Sequence, residues 1–514
     1  MVTVQHLVVR RAGDLDPAAV AGIACGTLRP VLGDELLAGL RAGREAVLAA
    51  LGGDEPVYGV NTGMGAMAGI RLDAEAQQRH QNNLMAGRAV GSAPWLSRVE
   101  ARAVLAVRLR TLLHPAAGAS PELCAHLAAM LAADVVPAIP ARGSGAAGEI
   151  IPLAHAGAAL IGTGQVLDAY GYATDAAPIL ARAGLAGWSF GTKEGVAFLE
   201  GVPALTGLSV LAARSARLLI DQVTAVVAAE HAVARASTDP WHPAFAAGDP
   251  ELRTVLAMLD TTPAAGGPPP PGAPPGPAAP AAPEKPETSA TSLQAPVSFR
   301  VSAPALAVAL RATAGLEAAV DRALTAVTDS PAYLDGRFVG SAGFAGTDLV
   351  AAAGTLTGAL VHLAELGAAR LHRLLDPAVT GLNRQLSHAP GAHAGMVAVH
   401  KRAVGVAHRL RRFAGLALVG PMETSAGQED VQSFGFEAAE CLTEALDGLR
   451  EVVACEILAV HQATRLRAAP PEPSAVRPEL AAVLRRLPAG TEDRPFGRDL
   501  DLIIELLRAP PSNP

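Results

Sequence analysis

Apolar residues recur at spacings of three and four along most of the chain, the period of one face of an α-helix. The opening HLVVRRAGDLDPAAVAGIA holds a short apolar run, and Asp16-Pro17 then marks a helix start. Helical periodicity follows at about 100–114 and 121–135. After Trp188 and a Lys-Glu-Gly turn it runs from 196 to about 236, and it returns at 303–328, 347–375, 394–416, 434–465 and 475–487. Long segments joined antiparallel by short links bury their apolar stripes against one another. The expected fold is all-α in the main, an elongated antiparallel helical bundle with a smaller N-terminal region. The expected division is 1–195 for that region, 196–470 for the central bundle and 471–514 for a C-terminal helical segment.

Composition narrows the picture. Of 514 residues 50% are hydrophobic and only 3% aromatic, so the chain has enough apolar surface to fold but few rings to fill a pocket. Ala- and Leu-rich text lets helix axes approach closely, and it lacks the aromatic and β-branched runs of a β-sandwich. Charge is nearly balanced, with 41 Lys+Arg against 48 Asp+Glu, which provides no basic face for nucleic acid. The four cysteines, 25, 124, 441 and 455, show no metal or disulfide spacing and are expected to be buried thiols in a reducing compartment. The N-terminus lacks the order of a signal peptide, and no uninterrupted apolar run reaches the length of a membrane span, so a cytoplasmic location is expected and no membrane partner. Residues 263–287 interrupt the helical text with 11 of the 40 prolines, a composition that disfavours helix. They read as a mobile surface insertion, with a ligand for a proline-recognition domain and an active-site lid as the other readings.

Four stretches carry chemistry more than core. Tyr58-Gly59-Val60-Asn61-Thr62-Gly63-Met64-Gly65 packs three glycines behind a phenol, the mark of a loop with close backbone approach. Ile139 to His155, IPARGSGAAGEIIPLAH, runs a glycine-rich turn into an apolar helix without the Gly-Lys-Ser/Thr of a P-loop. Leu293-Gln294-Ala295-Pro296-Val297-Ser298-Phe299-Arg300 follows the proline-rich stretch. Thr424-Ser425-Ala426-Gly427-Gln428-Glu429-Asp430 forms a polar turn between apolar helices.

In this order and spacing the four resemble the histidine and phenylalanine ammonia-lyase family, from about residue 20 to 465. The resemblance rests above all on the Tyr58 loop and on Pro152-Leu153-Ala154-His155. It implies a mostly helical subunit with a long central bundle, assembled as a homotetramer with sites shared between subunits. It also implies a cofactor made from the chain itself. An Ala-Ser-Gly tripeptide cyclises and loses two waters to give the electrophile methylidene-imidazolone (MIO), a loop Tyr takes the β-proton, and an Arg pairs with the substrate carboxylate.

The departures from that pattern fall on its chemistry. Anchoring on Pro152 to His155 places Ala146-Ala147-Gly148 on the cofactor tripeptide, so Ala147 stands for the serine and no MIO is expected. Gly143-Ser144-Gly145 lies three residues upstream as the alternative tripeptide. Val297 stands for the loop Tyr and Ala295 for the Asp before it; Glu200 stands for the amine-side Asn, Gly427 for the Asn before Gln-Glu, and Gly87-Arg88 for the pair that selects the substrate ring. Tyr58, Asn61, Gln294, Arg300, Phe344, Gln428 and Glu429 match the pattern.

The first functional reading is an MIO-free acid–base enzyme acting on a small molecule with a carboxylate. Tyr58, Glu200 and Glu429 would be its catalytic groups, with Asn61, Arg88, Gln294, Arg300, Phe344 and Gln428 binding substrate, and no metal. Such a set runs elimination of a good leaving group, isomerisation or ring closure, and Ala- and Arg-rich text points to a GC-rich genome and specialised metabolism. The second reading is a non-catalytic scaffold or ligand binder. The third is residual aromatic amino acid ammonia-lyase activity.

Overall fold

Helices begin where the sequence supplies an acceptor for their first free amides. Asp16 accepts from the Ala19 amide at 2.7 Å, Asp73 from Ala76 at 2.8 Å, Ser120 from Leu123 at 3.1 Å and Asp249 from Leu252 at 2.9 Å. Ser97 and Glu100 cap each other's amides reciprocally at the start of Arg98–Leu112. The computed structural model describes residues 4–260, 294–420, 422–467 and 478–508. The proline-rich stretch 263–287 lies outside the described residues.

The chain forms two compact units, each drawn from three stretches. The first comprises Met1–Arg214, Ala314–Thr355 and Leu416–Thr443. Its centre is the helix Arg98–Leu112, where every residue from Ala101 to Leu109 is buried, Arg102 and Arg108 included. Close helix contacts are made at glycines: a Cβ on Gly207 would stand 2.9 Å from the Ala103 backbone. Three small sheets decorate this unit. Gln5–Val9 pairs in parallel with Leu28–Leu32. Val136–Pro137, Gln165–Leu167 and Ala173–Asp175 form an antiparallel set, and Ala332–Leu334 pairs with Arg337–Val339.

The second unit comprises Ser215–Thr313, Leu356–Gly415 and Glu444–Pro514. Its core holds an ion triad. Arg370 is fully buried and bonds Glu230 and Glu456 at 2.6 Å each, with a third donor on the Ser302 hydroxyl at 3.1 Å.

The expected helices are present, with sharper ends. The segment expected to be continuous from 196 to about 236 is broken into Glu194–Leu199 and Pro203–Ala234. Gly201 takes a left-handed φ of +90° there, and Pro203 opens the next helix. The segment expected at 394–416 is the helix Val397–Leu410.

Two expectations are corrected. Glu194–Ala234, Ser302–Thr325 and Gly343–Leu374 are long and apolar enough, by length and composition, to cross a membrane. Their apolar windows are 89%, 61% and 56% buried inside the protein, because Ala and Leu here fill helix contacts. Cys25 is exposed, since it caps the short helix Pro17–Ala24, whereas Cys124 and Cys455 are buried and Cys441 is intermediate.

Candidate active site

The Tyr58 loop is held by its own polar side chains. Asn61 is buried; its Oδ1 accepts from the Val57 amide at 2.7 Å and from Arg71 at 3.1 Å, and its Nδ2 donates to the Glu55 carbonyl at 2.8 Å. Both ends of this amide are therefore spent within the loop. Gly59 sits at φ +67°, and a Cβ there would meet Val196 at 2.4 Å. Tyr58 is half-buried, and its phenol oxygen accepts from the Gly65 amide at 2.8 Å. No acceptor among the described residues takes the phenol's own proton.

Gly65 leads to the second element, the turn Thr424–Glu429. The Ser425 hydroxyl lies beside Gly65 and donates to Glu429 Oε1 at 2.8 Å. Ser425, Ala426 and Gly427 are successive left-handed residues, with φ of +53°, +55° and +83°. Gly427 tolerates that conformation without the strain a Cβ brings.

Glu429 Oε2 accepts from the Ala147 amide at 3.0 Å and from the Thr424 hydroxyl at 3.3 Å. It thus meets the segment Ala146-Ala147-Gly148, whose Ala146 carbonyl accepts from the Ser433 amide at 3.3 Å. A Cβ on Gly148 would lie 3.6 Å from the Phe344 carbonyl, which places Phe344 against the same segment. Ala147 carries a methyl group and no hydroxyl that could leave as water, so the side chains present do not fit formation of an MIO at this tripeptide. Gln428 is exposed at the rim of this turn.

The third element is the break at Glu200. Arg108, fully buried, donates to the Ala197 carbonyl at 2.9 Å and to the Glu200 carbonyl, holding the end of the short helix. Lys193, with no side-chain exposure, bonds Asp329 at 2.6 Å. Glu149, next to the tripeptide, accepts from the Ala204 and Leu205 amides at 2.6 Å each and so caps the helix Pro203–Ala234. Burial pushes the Glu149 carboxyl up to about 7, against the two amides and Arg108, which pull it down. Arg108 is pushed down to about 10 by burial.

Four groups act on one another electrostatically. Burial first, then the charges of Asp329 and Glu429, together raise the Glu200 carboxyl to about 8 against the opposing Lys193 and Arg108. Tyr58 is raised above its ordinary value by burial and by Glu200 and Glu429, with the Gly65 amide and Arg88 opposing. Arg88, half-buried, feels Tyr58, Glu200 and Glu429, and burial lowers it. Its guanidinium forms no hydrogen bond or ion pair among the described residues.

The structure therefore gathers Tyr58, Arg88, Glu200, Glu429, Phe344 and Ala146 to Gly148 within the first unit. Gln294 and Arg300 belong to the second unit, where they bond each other at 2.9 Å. Sequence reasoning met Lys193 only within its Lys-Glu-Gly turn and gave no role to Asp329, Arg108, Glu149 or Gln81. Gln81, wholly buried, ties the Gly59 carbonyl to the Val196 amide. One signal for Lys193 was present: it is one of only three lysines in a chain that otherwise carries arginine. Arg108 was signalled by a charge inside unbroken apolar periodicity.

Residues 15–487 match the family described as aromatic amino acid lyase. The chain belongs to the aromatic amino acid lyase family. Among relatives in that family, histidine ammonia-lyase of Streptomyces coelicolor is 31% identical over 480 residues, covering 90% of this chain and 88% of its own. Histidine ammonia-lyase of Gloeobacter violaceus is 30% identical over 478 residues, covering 91% and 89%. The fold matches that of an ergothioneine-degrading enzyme, ergothionase from Treponema denticola, solved with desmethyl-ergothioneine sulfonic acid; the TM-score is 0.85 at 21% identity, over 98% of this chain and 99% of that one.

Proposed function

We propose that this protein is an acid–base enzyme of the aromatic amino acid lyase family that works without MIO on a small molecule bearing a carboxylate. The reaction class is elimination, isomerisation or ring closure. The observation that carries this reading is the grouping of Tyr58, Arg88, Glu200 and Glu429 beside Ala147. Arg88, the uncommitted guanidinium of the cluster, pairs with the substrate carboxylate in a fork. Glu429, whose partners all donate to it, takes a proton from carbon. The electrons of that C–H bond form the new π bond as the leaving group departs, and Glu200 supplies its proton. Tyr58, kept neutral, donates a hydrogen bond into the same space. Without an electrophile to activate an amine, the substrate must bring a better leaving group than ammonia or a more acidic C–H.

Exposed apolar residues rim this region, among them Met67, Ile70, Val419, Met422 and Val431, which supports assembly with further copies as a homotetramer. Intact-mass measurement tests the cofactor reading: the expected mass is that of the encoded chain, and a mass short by two waters overturns it. Turnover of carboxylated substrates with good leaving groups tests the chemistry. It should be lost in Glu429→Gln, and undiminished turnover in that variant sinks the proposed role.

A further inference from the structure

The buried charges behind the site do not balance. Glu149, Glu200 and Asp329 are three carboxyls, and Lys193 and Arg108 are the two cations among them, all buried. Each of the other four has a committed partner. Lys193 is bonded to Asp329 at 2.6 Å. Arg108 donates from its two terminal nitrogens to the carbonyls of Ala197 and Glu200, and its buried Nε has no partner among the described residues. Glu149 is held by the two amides at the start of Pro203–Ala234. The Glu200 carboxyl alone has no hydrogen-bond or ion-pair partner among the described residues, although the residue is only 8% exposed. A buried carboxyl without a counter-ion retains its proton.

We propose that Asp329 is a positioning residue that, by holding Lys193 to itself and adding its own charge, keeps the Glu200 carboxyl protonated in the resting site, so that Glu200 meets a substrate as an acid. The ammonium of Lys193 is the cation suited to neutralise Glu200, and Asp329 withholds it while adding a like charge. Glu429 adds a second like charge from its own turn. Arg88 faces the same cluster together with Tyr58 and carries the substrate's anion in the proposed reaction. When Glu200 acts, its O–H bond breaks as a bond forms between that hydrogen and the departing atom. The electron pair stays on the carboxylate, which water then reprotonates.

This inference rests on the placing of Glu200 in the proposed site, and its test needs no turnover. The infrared band of a protonated carboxylic acid is recorded across pH for the full-length protein and for Glu200→Gln. A component of that band at neutral pH that the first protein has and the second lacks is expected, titrating near pH 8, over a background from Glu149 and Glu230 common to both. In Asp329→Asn the midpoint should fall by about one pH unit or more, because the like charge goes and Lys193 is released. Lys193→Arg, whose fork bonds Asp329 and leaves donors for Glu200, should lower it too and serves if Asp329→Asn does not fold. No such component at neutral pH, or an unmoved midpoint in the folded variants, overturns the proposal. A component that behaves as expected in a protein that turns over no substrate upholds it and sinks only the functional reading.

Discussion

Glu200 is the residue whose environment has the clearest consequence in solution. Its carboxyl lies near 8 in the folded protein against an ordinary 4.5. Below about pH 4.5 both folded and unfolded chains hold this proton, so the group is neutral to stability. Between there and about pH 8 the unfolded chain has lost the proton while the folded chain keeps it, so stability falls as pH rises. Glu200→Gln removes this slope. The variant should match the parent at about pH 4 to 5 and exceed it increasingly toward about pH 8, read by urea denaturation at each pH. A constant difference across that range would contradict the burial. Arg88 makes the complementary case for binding. Arg88→Ala should weaken a carboxylate ligand by roughly ten- to a hundredfold, with Arg88→Lys recovering part of it, as measured by calorimetry. At this scale the sequence displayed Tyr58, Arg88, Glu200 and Glu429, since each falls in a recognisable motif or departs from one. It did not display that Asn61 is consumed by its loop, that Arg108 reaches the Glu200 carbonyl from 92 residues away or that Lys193 pairs with Asp329 at a separation of 136 residues.

Elements decide where these side chains point. The break between Glu194–Leu199 and Pro203–Ala234 turns the chain at Glu200, and Glu149 secures its far side by holding two helix-start amides. Glu149→Ala strands both amides in a buried place, at a cost of about 1–3 kcal/mol each. The loss should appear as a lower denaturation midpoint, and a midpoint equal to the parent's would deny the cap its role. Helix existence was legible from periodicity, and starts such as Asp16-Pro17 from capping chemistry. The break at Glu200 was not, since the apolar period runs straight through it; only Gly201 and Pro203 mark it, and both occur elsewhere without ending a helix. The Thr424–Glu429 turn was legible as polar punctuation, but its run of left-handed residues at Ser425 and Ala426 was not, as neither residue type favours it.

For the molecule as a whole, the buried triad of the second unit sets a large stability term. Arg370→Met leaves Glu230 and Glu456 facing each other without a counter-ion, and the expected loss is about 3–5 kcal/mol. Glu230 already lies well above the ordinary carboxylate range through burial and the neighbouring Glu456. Exchange of both glutamates for Gln in the Arg370→Met background should recover much of that loss in thermal or chemical denaturation. No recovery would mean that packing, and not charge, carries the triad. The sequence by itself determined the helical class, the family and the absence of a hydroxyl at residue 147, because periodicity, motif order and residue identity are properties of the chain read in line. Tertiary structure alone decided which polar groups are spent and which are free. It put Asn61 into its loop, Lys193 onto Asp329 and Arg108 onto main-chain carbonyls, and left Glu200 and Arg88 uncommitted. Burial and counter-ions, which set protonation, arise from residues far apart in the chain and exist only once it has folded.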